Sequence, residues 1–418
     1  MLKDWQKKIL FTTWITYAGF YLTRVNISVA IPGMIQEFGI TKTEMGIVLS
    51  ALFFAYAAGQ FINGQLGDKF GAKKLVAIGL LGTAIINVIF GFTGNFLAGM
   101  ILLWTLNGLF QAMGWAPTVK LVANWFPVDE RGRAAGILGS SYQIGNVLSV
   151  ALAGVVVGVL GWRWAFWAPV AITIFLFIYW LLRIKEKAED VGLEPVEVAT
   201  KATGFRSTIR SVLTNRYIWL VALGLFGLNI VRYGFLDWAP TYFFEVQNAH
   251  ITTAAYKSII FPLAGSLGAL SAGWLSDRFF QSRRAPISVI LLVILIAGIL
   301  IFPQWPDHLW WAGLINLAVI GFATYGPHVL MVAALPMDLG TKEMAASATG
   351  FIDGWGYIGA ALTGVGTGYL LDNYGWNYAF YFWVIGAIIA ALLIASMWNY
   401  KASPRLAPAV SIEGDPDI

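Results

Sequence analysis

Gly64-Gln65-Leu66-Gly67-Asp68-Lys69-Phe70 returns, 209 positions later, as Gly273-Trp274-Leu275-Ser276-Asp277-Arg278-Phe279 in a chain of 418 residues. A repeat at half the chain length predicts two copies of one structural unit. Other pairs keep the spacing. GWRWAF at 161–166 recurs as GWNYAF at 375–380, Pro117 answers to Pro327, and Pro127 to Pro336. Arg24 and Arg232 belong to the same series, 208 positions apart (232 − 24).

What is repeated is a membrane bundle. Hydrophobic residues make up 58% of the chain and charged residues 12%, about half the charged share of a soluble protein. Apolar runs of about 20 residues, each long enough to cross a bilayer as a helix, place twelve spans. They fall at 9–31, 44–66, 75–93, 97–126, 134–158, 165–184, 217–243, 252–274, 286–303, 309–335, 342–370 and 374–398. The expected fold is all-α and polytopic. Two pseudo-symmetric six-helix bundles, 1–184 and 217–398, would be related by an axis along the membrane normal. The polar stretch 185–216 reads as a linker and 399–418 as a tail. Of the 27 Lys and Arg residues, 21 fall in the termini, the linker and the loops on one side. Only Lys42, Arg163 and Lys257 fall on the other, which predicts both termini in the cytoplasm. The short termini suit a prokaryotic plasma (inner) membrane.

The chain has no cysteine and three histidines, and no metal-ligand spacing, nucleophile–base pairing or nucleotide-binding loop is visible. The expectation is a carrier driven by a gradient or by exchange. It would not be an enzyme, and it would have no cofactor, no metal and no nucleic-acid partner. Its partners would be the lipid bilayer and a small anion.

The anion follows from the arginines. Arg24 lies in FYLTRVN and Arg232 in RYGFLDWAPTYF, each well inside its span. An arginine at that depth costs about 2.5–3.5 kcal/mol to insert, so it marks a ligand path or pairs with a buried acid such as Asp353 or Asp237. Placed symmetrically, one per half, the two read as a central anion site. A planar guanidinium suits phosphate because it donates paired, charge-assisted hydrogen bonds to a tetrahedral oxyanion. His328 and Asp353 are candidates for carrying a proton or contacting substrate, and Asp237 for organising the outer end or gate. Lys120 is placed to draw anions inward or to snorkel.

The loop GQLGDKFGAKK at 64–74, with its second copy, resembles the signature of the major facilitator superfamily. Asp68, Lys69, Arg131, Asp277 and Arg278 would then form a charge cluster that biases a gate. FYLTRVN, RYGFLDWAPTYF, MGWAP at 113–117 and YGP at 325–327 resemble, in span order, the organophosphate:inorganic phosphate antiporters. That resemblance implies a monomer exchanging an organic phosphate for inorganic phosphate by alternating access. Arg24 and Arg232 would be the clamp, with Tyr17, Tyr21 and Tyr56 lining the path. Val25, Gln60 and Tyr142 stand where glycerol-3-phosphate carriers of that family have two lysines and a histidine. Gln60, Tyr142, Gln143 and Asn146 remain able to hydrogen-bond an organic moiety. Other expectations for the same fold are a proton- or sodium-coupled symporter of a carboxylate or sulfonate, and a sugar-phosphate receptor.

Overall fold

The computed structural model describes residues 1–196, 205–306, 309–339 and 342–400. Span 1 is a helix, Leu2–Leu22, that breaks and resumes as Ile27–Phe38. Spans 2 and 3 are Lys42–Phe70 and Ala72–Gly91; span 4 is the pair Leu97–Gln111 and Trp115–Trp125. Spans 5 and 6 are Val128–Leu160 and Trp164–Arg183. In the second half, spans 7 to 9 are Arg216–Glu245, Ile251–Phe280 and Arg284–Ile301. Span 10 is Trp310–Val329, followed by a π-helical turn Leu330–Ala334 and a last turn Leu335–Asp338. Spans 11 and 12 are Lys342–Asn373 and Trp376–Ala395. Among the described residues, nine helices are long and apolar enough to cross a membrane. The broken span 1 and the 29- and 32-residue spans 2 and 11 complete the twelve.

Three details differ from the expected spans. Span 1 is not one helix over 9–31; it unwinds at 23–26 and continues to Phe38. Span 4 is interrupted at 112–114. The linker holds a 3-10 turn, Ala188–Val191, and a helix, Phe205–Thr214; residues 197–204 and the tail from Lys401 lie outside the described residues.

The repeat is visible in the backbone. The glycines that open GWRWAF and GWNYAF, Gly161 and Gly375, both take φ near +90° (+91° and +84°). A β-carbon is poorly tolerated there. Gly71 ends the first signature loop at φ +82°, where an added Cβ would lie 2.6 Å from the Glu186 carboxylate. That carboxylate accepts from the Ala72 and Lys73 amides at 3.2 and 2.6 Å and so caps span 3. The second copy turns through Gln281 and Ser282, both at positive φ.

The bundles meet along spans 2 and 11 on one seam and spans 5 and 8 on the other, with the outer half of span 1 against span 7. Among the described residues, the glycine contacts that close the seams lie on the side away from the termini. There Gly46 sits on the Gly364 backbone, Gly368 on Lys42, and Gly154 and Gly158 on Ala255 and Thr252. Five helical turns nearer the termini, on the same helix faces, stand Gly350 (368 − 18) and Gly136 (154 − 18). Around both there is open space. Among the described residues, the glycine positions of the seams are packed on the far side and open on the terminal side.

Candidate functional site

The break in span 1 creates the site. Unwound backbone in a membrane needs partners for the amides and carbonyls it frees, and spans 3 and 4 supply them. Asn87 and Asn107 donate to the Thr23 carbonyl at 3.1 and 3.0 Å, and Gln111 to the Phe20 carbonyl at 2.9 Å. Asn26 donates to Asn87 at 2.9 Å and to the Ala165 carbonyl at 3.0 Å. The whole knot is buried. It holds Arg24, the residue after Thr23, at a fixed point between the bundles. Span 7 carries Arg232 on an unbroken helix, so the two arginines reach the centre by different means.

Arg24 is caged by rings. Its Cζ lies 4.3 Å from the centroid of Tyr56, 5.3 Å from Tyr21, 5.5 Å from Tyr357 and 5.8 Å from Phe53. Arg232 has a matching cage of Tyr233 at 4.9 Å, Tyr325 at 5.1 Å and Tyr142 at 5.7 Å. The cages touch. Phe53 and Tyr233 meet edge to face at 4.4 Å, and Tyr21 and Tyr142 lie 6.2 Å apart. Tyr17 packs on Tyr21 at 5.8 Å and on Trp115 at 4.8 Å. Cation–π contact in a desolvated site is worth up to about 2 kcal/mol and steers each guanidinium while leaving at least one of its N–H donors unspent.

Those donors are available. Neither arginine forms an ion pair among the described residues, and buried Arg24 Nη2 and Arg232 Nε have no hydrogen-bond partner. Arg232 Nη1 contacts the Tyr233 hydroxyl at 3.4 Å and His328 Nε2 at 3.2 Å. A guanidinium only donates, so His328 accepts through Nε2 and carries its proton on Nδ1, which is buried without a partner. His328 follows Pro327, just before the π-helical turn of span 10.

Two carboxyls share the electrostatic field. Asp353 interacts first with Arg232 and then with Arg24; Asp237 interacts with the same two in the opposite order. Asp237 is buried with Oδ2 unpartnered, which places it with the arginines as well as on the outer half of span 7. Gln60 lies one turn from Tyr56 with its amide nitrogen buried and unpartnered, and Asn146 one turn from Tyr142 with both amide atoms so. Gln143 is buried beside Tyr142.

The charged residues of the terminal side are elsewhere. Arg131 Nε donates to the Ala123 and Phe126 carbonyls at 3.1 and 2.9 Å, capping the end of span 4. Asp277 accepts from Arg284 at 2.6 Å, and Arg284 reaches on to Asp338 at 3.2 Å. This bridge joins spans 8, 9 and 10 within one bundle. Arg278 and Lys69 are exposed, and the Asp68 side chain lies outside the described residues.

Sequence reading missed Tyr233, Tyr325, Tyr357 and Phe53. Three of these carried a signal in hindsight: Tyr233 adjoins Arg232, Tyr357 is one turn past Asp353, and Tyr325 opens the YGP motif. The asparagine knot gave none, because polar residues scattered over three spans converge only when the helices pack.

Twelve spans in two repeated bundles, with paired buried cations between them, define a membrane carrier. Residues 13–364 match the model of the Major Facilitator Superfamily, and the chain belongs to that family. It is 30% identical to a probable hexose phosphate transport protein of Chlamydia pneumoniae, covering 95% of this chain and 92% of that one. With the glycerol-3-phosphate transporter of Bacillus subtilis (strain 168) it shares 32% identity over 92% of this chain and 90% of the relative. The membrane sensor protein UhpC of Escherichia coli (strain K12) is 30% identical over 96% and 94%. Among solved structures, the bacterial homolog of the human lysosomal transporter Spinster, inward-facing and unoccupied, superposes with a TM-score of 0.76. That likeness covers 94% of this chain and 95% of the other at 15% identity, and shows the fold.

Proposed function

We propose that this protein carries an organic phosphate ester across a prokaryotic plasma membrane in exchange for inorganic phosphate. It works as a monomer with both termini in the cytoplasm. One observation carries the reading: two buried guanidiniums, one from each bundle, keep N–H donors without a partner and form no ion pair among the described residues. A buried cation left unpaired is costly, and a phosphate dianion offers acceptor oxygens to both at once. The relatives named for hexose phosphate and glycerol 3-phosphate support the same ligand class.

The chemistry of exchange follows from charge. Two guanidiniums sharing one buried site repel each other, and at an effective dielectric of ~20 that repulsion is on the order of 1–2 kcal/mol. Phosphate between them replaces repulsion by attraction and draws the bundles together on the terminal side while the far seams loosen. The empty carrier lacks that pull and crosses slowly, which ties the movement of one phosphate to the return of another. Gln60, Asn146, Asp237, Asp353 and the Nδ1–H of His328 are the groups that would meet the organic end.

The test is counterflow of labelled inorganic phosphate in proteoliposomes, wild type beside Arg24→Ala. Exchange lost in the variant supports the clamp, and competition by organic phosphates then ranks substrates. Asp237 and Asp353, within electrostatic reach of both arginines, favour a second reading, a proton-coupled organic-anion symporter. Uptake driven by a pH gradient with no phosphate inside would select it. Tight binding without flux would select a sensor, as the UhpC relative suggests.

A further inference from the structure

The far-side seal is not symmetric, although the repeat that builds it is. On the seam of spans 2 and 11, the Asp372 carboxylate accepts from the Lys42 and Thr43 amides at 3.0 and 2.7 Å and from the Thr43 hydroxyl at 2.6 Å. These are the first two amides of span 2, orphans at any helix start. The third, Glu44, is satisfied by Thr41 at 3.1 Å in a local capping box. One carboxylate on span 11 therefore completes the cap of a helix in the other bundle, where the helix dipole favours negative charge. Beside it, Lys42 Nζ pairs with Glu245 Oε2 at 2.8 Å, again across the bundles.

The repeat says what each residue became. Glu245 corresponds to Glu37 (245 − 208), and Trp376 and Asn377 to Trp162 and Arg163. In the first half, Glu37 takes a hydrogen bond from Trp162 at 2.8 Å and both arms of Arg163 at 2.7 Å, all inside one bundle. In the second half, Trp376 still donates to Glu245 at 3.3 Å, but Asn377 replaces the arginine. Glu245 is then open to Lys42 of the other bundle. On the opposite seam, Asp372 corresponds to Gly158 (372 − 214), Lys42 to Ile251 and Thr43 to Thr252 (offset 209). There Thr252 donates to the Gly154 carbonyl at 3.0 Å, and among the described residues no carboxylate takes part.

We propose that Asp372 and the Lys42–Glu245 pair form a one-sided latch that holds the far side shut, and that far-side opening is controlled at the seam of spans 2 and 11. The opposite seam has only glycine contacts and the uncharged Thr252 hydrogen bond among the described residues. Opening exposes two uncapped amides and separates an ion pair, whereas closing restores both. The latch sets the balance between the two faces of the carrier irrespective of which anion it carries.

The chain has no native cysteine, so spin labels on Gly94→Cys and Gln304→Cys report the far-side distance between bundles by double electron–electron resonance in nanodiscs. In the ligand-free protein, Asp372→Ala is expected to raise the ratio of the long-distance to the short-distance population about tenfold, the effect of losing charge-assisted hydrogen bonds. Lys42→Glu is expected to open the far side, and the swap Lys42→Glu/Glu245→Lys to close it again. Thr252→Val, the equivalent position on the other seam, is expected to leave the distribution within twofold of its parent. Folding is checked by thermal unfolding, and the swap guards against a variant that is merely damaged. Unchanged distances in both Asp372→Ala and Lys42→Glu would overturn the proposal. So would a swap that stays open, or a Thr252→Val effect as large as that of Asp372→Ala.

Discussion

Replacing Arg232 by lysine keeps the charge and removes the fork. In the structure one edge of the guanidinium is committed, with Nη1 facing His328 Nε2 at 3.2 Å and the Tyr233 hydroxyl at 3.4 Å, while Nε is unspent. The proposed phosphate takes the free edge. An ammonium at that position is a point donor and cannot hold His328 on one side and grip two phosphate oxygens on the other. At least one charge-assisted hydrogen bond is lost, worth about 1.5–3 kcal/mol, which corresponds to about a 10- to 150-fold weaker hold on phosphate. The measurement is counterflow of labelled phosphate in proteoliposomes across a range of phosphate concentrations. The half-saturating concentration should rise by that factor. His328→Leu, which removes the acceptor but keeps the fork, should cost less than Arg232→Lys. Half-saturation within twofold of wild type in Arg232→Lys would refute the forked-clamp argument.

Other outcomes follow from the same geometry. Gly46→Val should block far-side closure, because the added side chain would enter the Gly364 backbone; spin-label distances would show the far side held open and exchange would fall below a tenth of wild type. Asp353→Asn removes a carboxyl within electrostatic reach of both arginines and should lower the half-saturating phosphate concentration several-fold while slowing release; a rise would mean that Asp353 supports the clamp. On the far surface, the hydrogen bonds from Arg163 and then Trp162 hold the Glu37 carboxyl below its usual range. A carboxylate with a lowered folded-state pKa stabilises above its unfolded pKa, about 4.3, and loses that contribution as pH falls through the lowered value. Because the pair is exposed it is worth under about 1 kcal/mol, so Glu37→Gln should depress the unfolding temperature by only a few degrees at neutral pH. The difference should shrink as pH falls through the lowered value and vanish below it.

The sequence by itself determined the architecture. Apolar runs of membrane length, a repeat at half the chain, and 21 of 27 cations on one side of the spans are properties of composition and order, and a bilayer converts them directly into topology. It also singled out Arg24 and Arg232, because a charge in an apolar run is visible without coordinates. Only the tertiary structure decided how those arginines are held. Asn87, Asn107 and Gln111 of spans 3 and 4 close on the Thr23 and Phe20 carbonyls at the break in span 1, and Asn26 ties that break to Asn87 and to the Ala165 carbonyl of span 6. The aromatic cages likewise draw Tyr56, Tyr142, Tyr325 and Tyr357 from four helices. The far-side latch shows the division most plainly. Asn377 in place of a second arginine can be read in the letters, but its consequence depends on which cation stands within reach of Glu245 once the bundles close. Short-range electrostatics and hydrogen bonding act on distances in space, and those distances are set by packing between segments far apart in the chain.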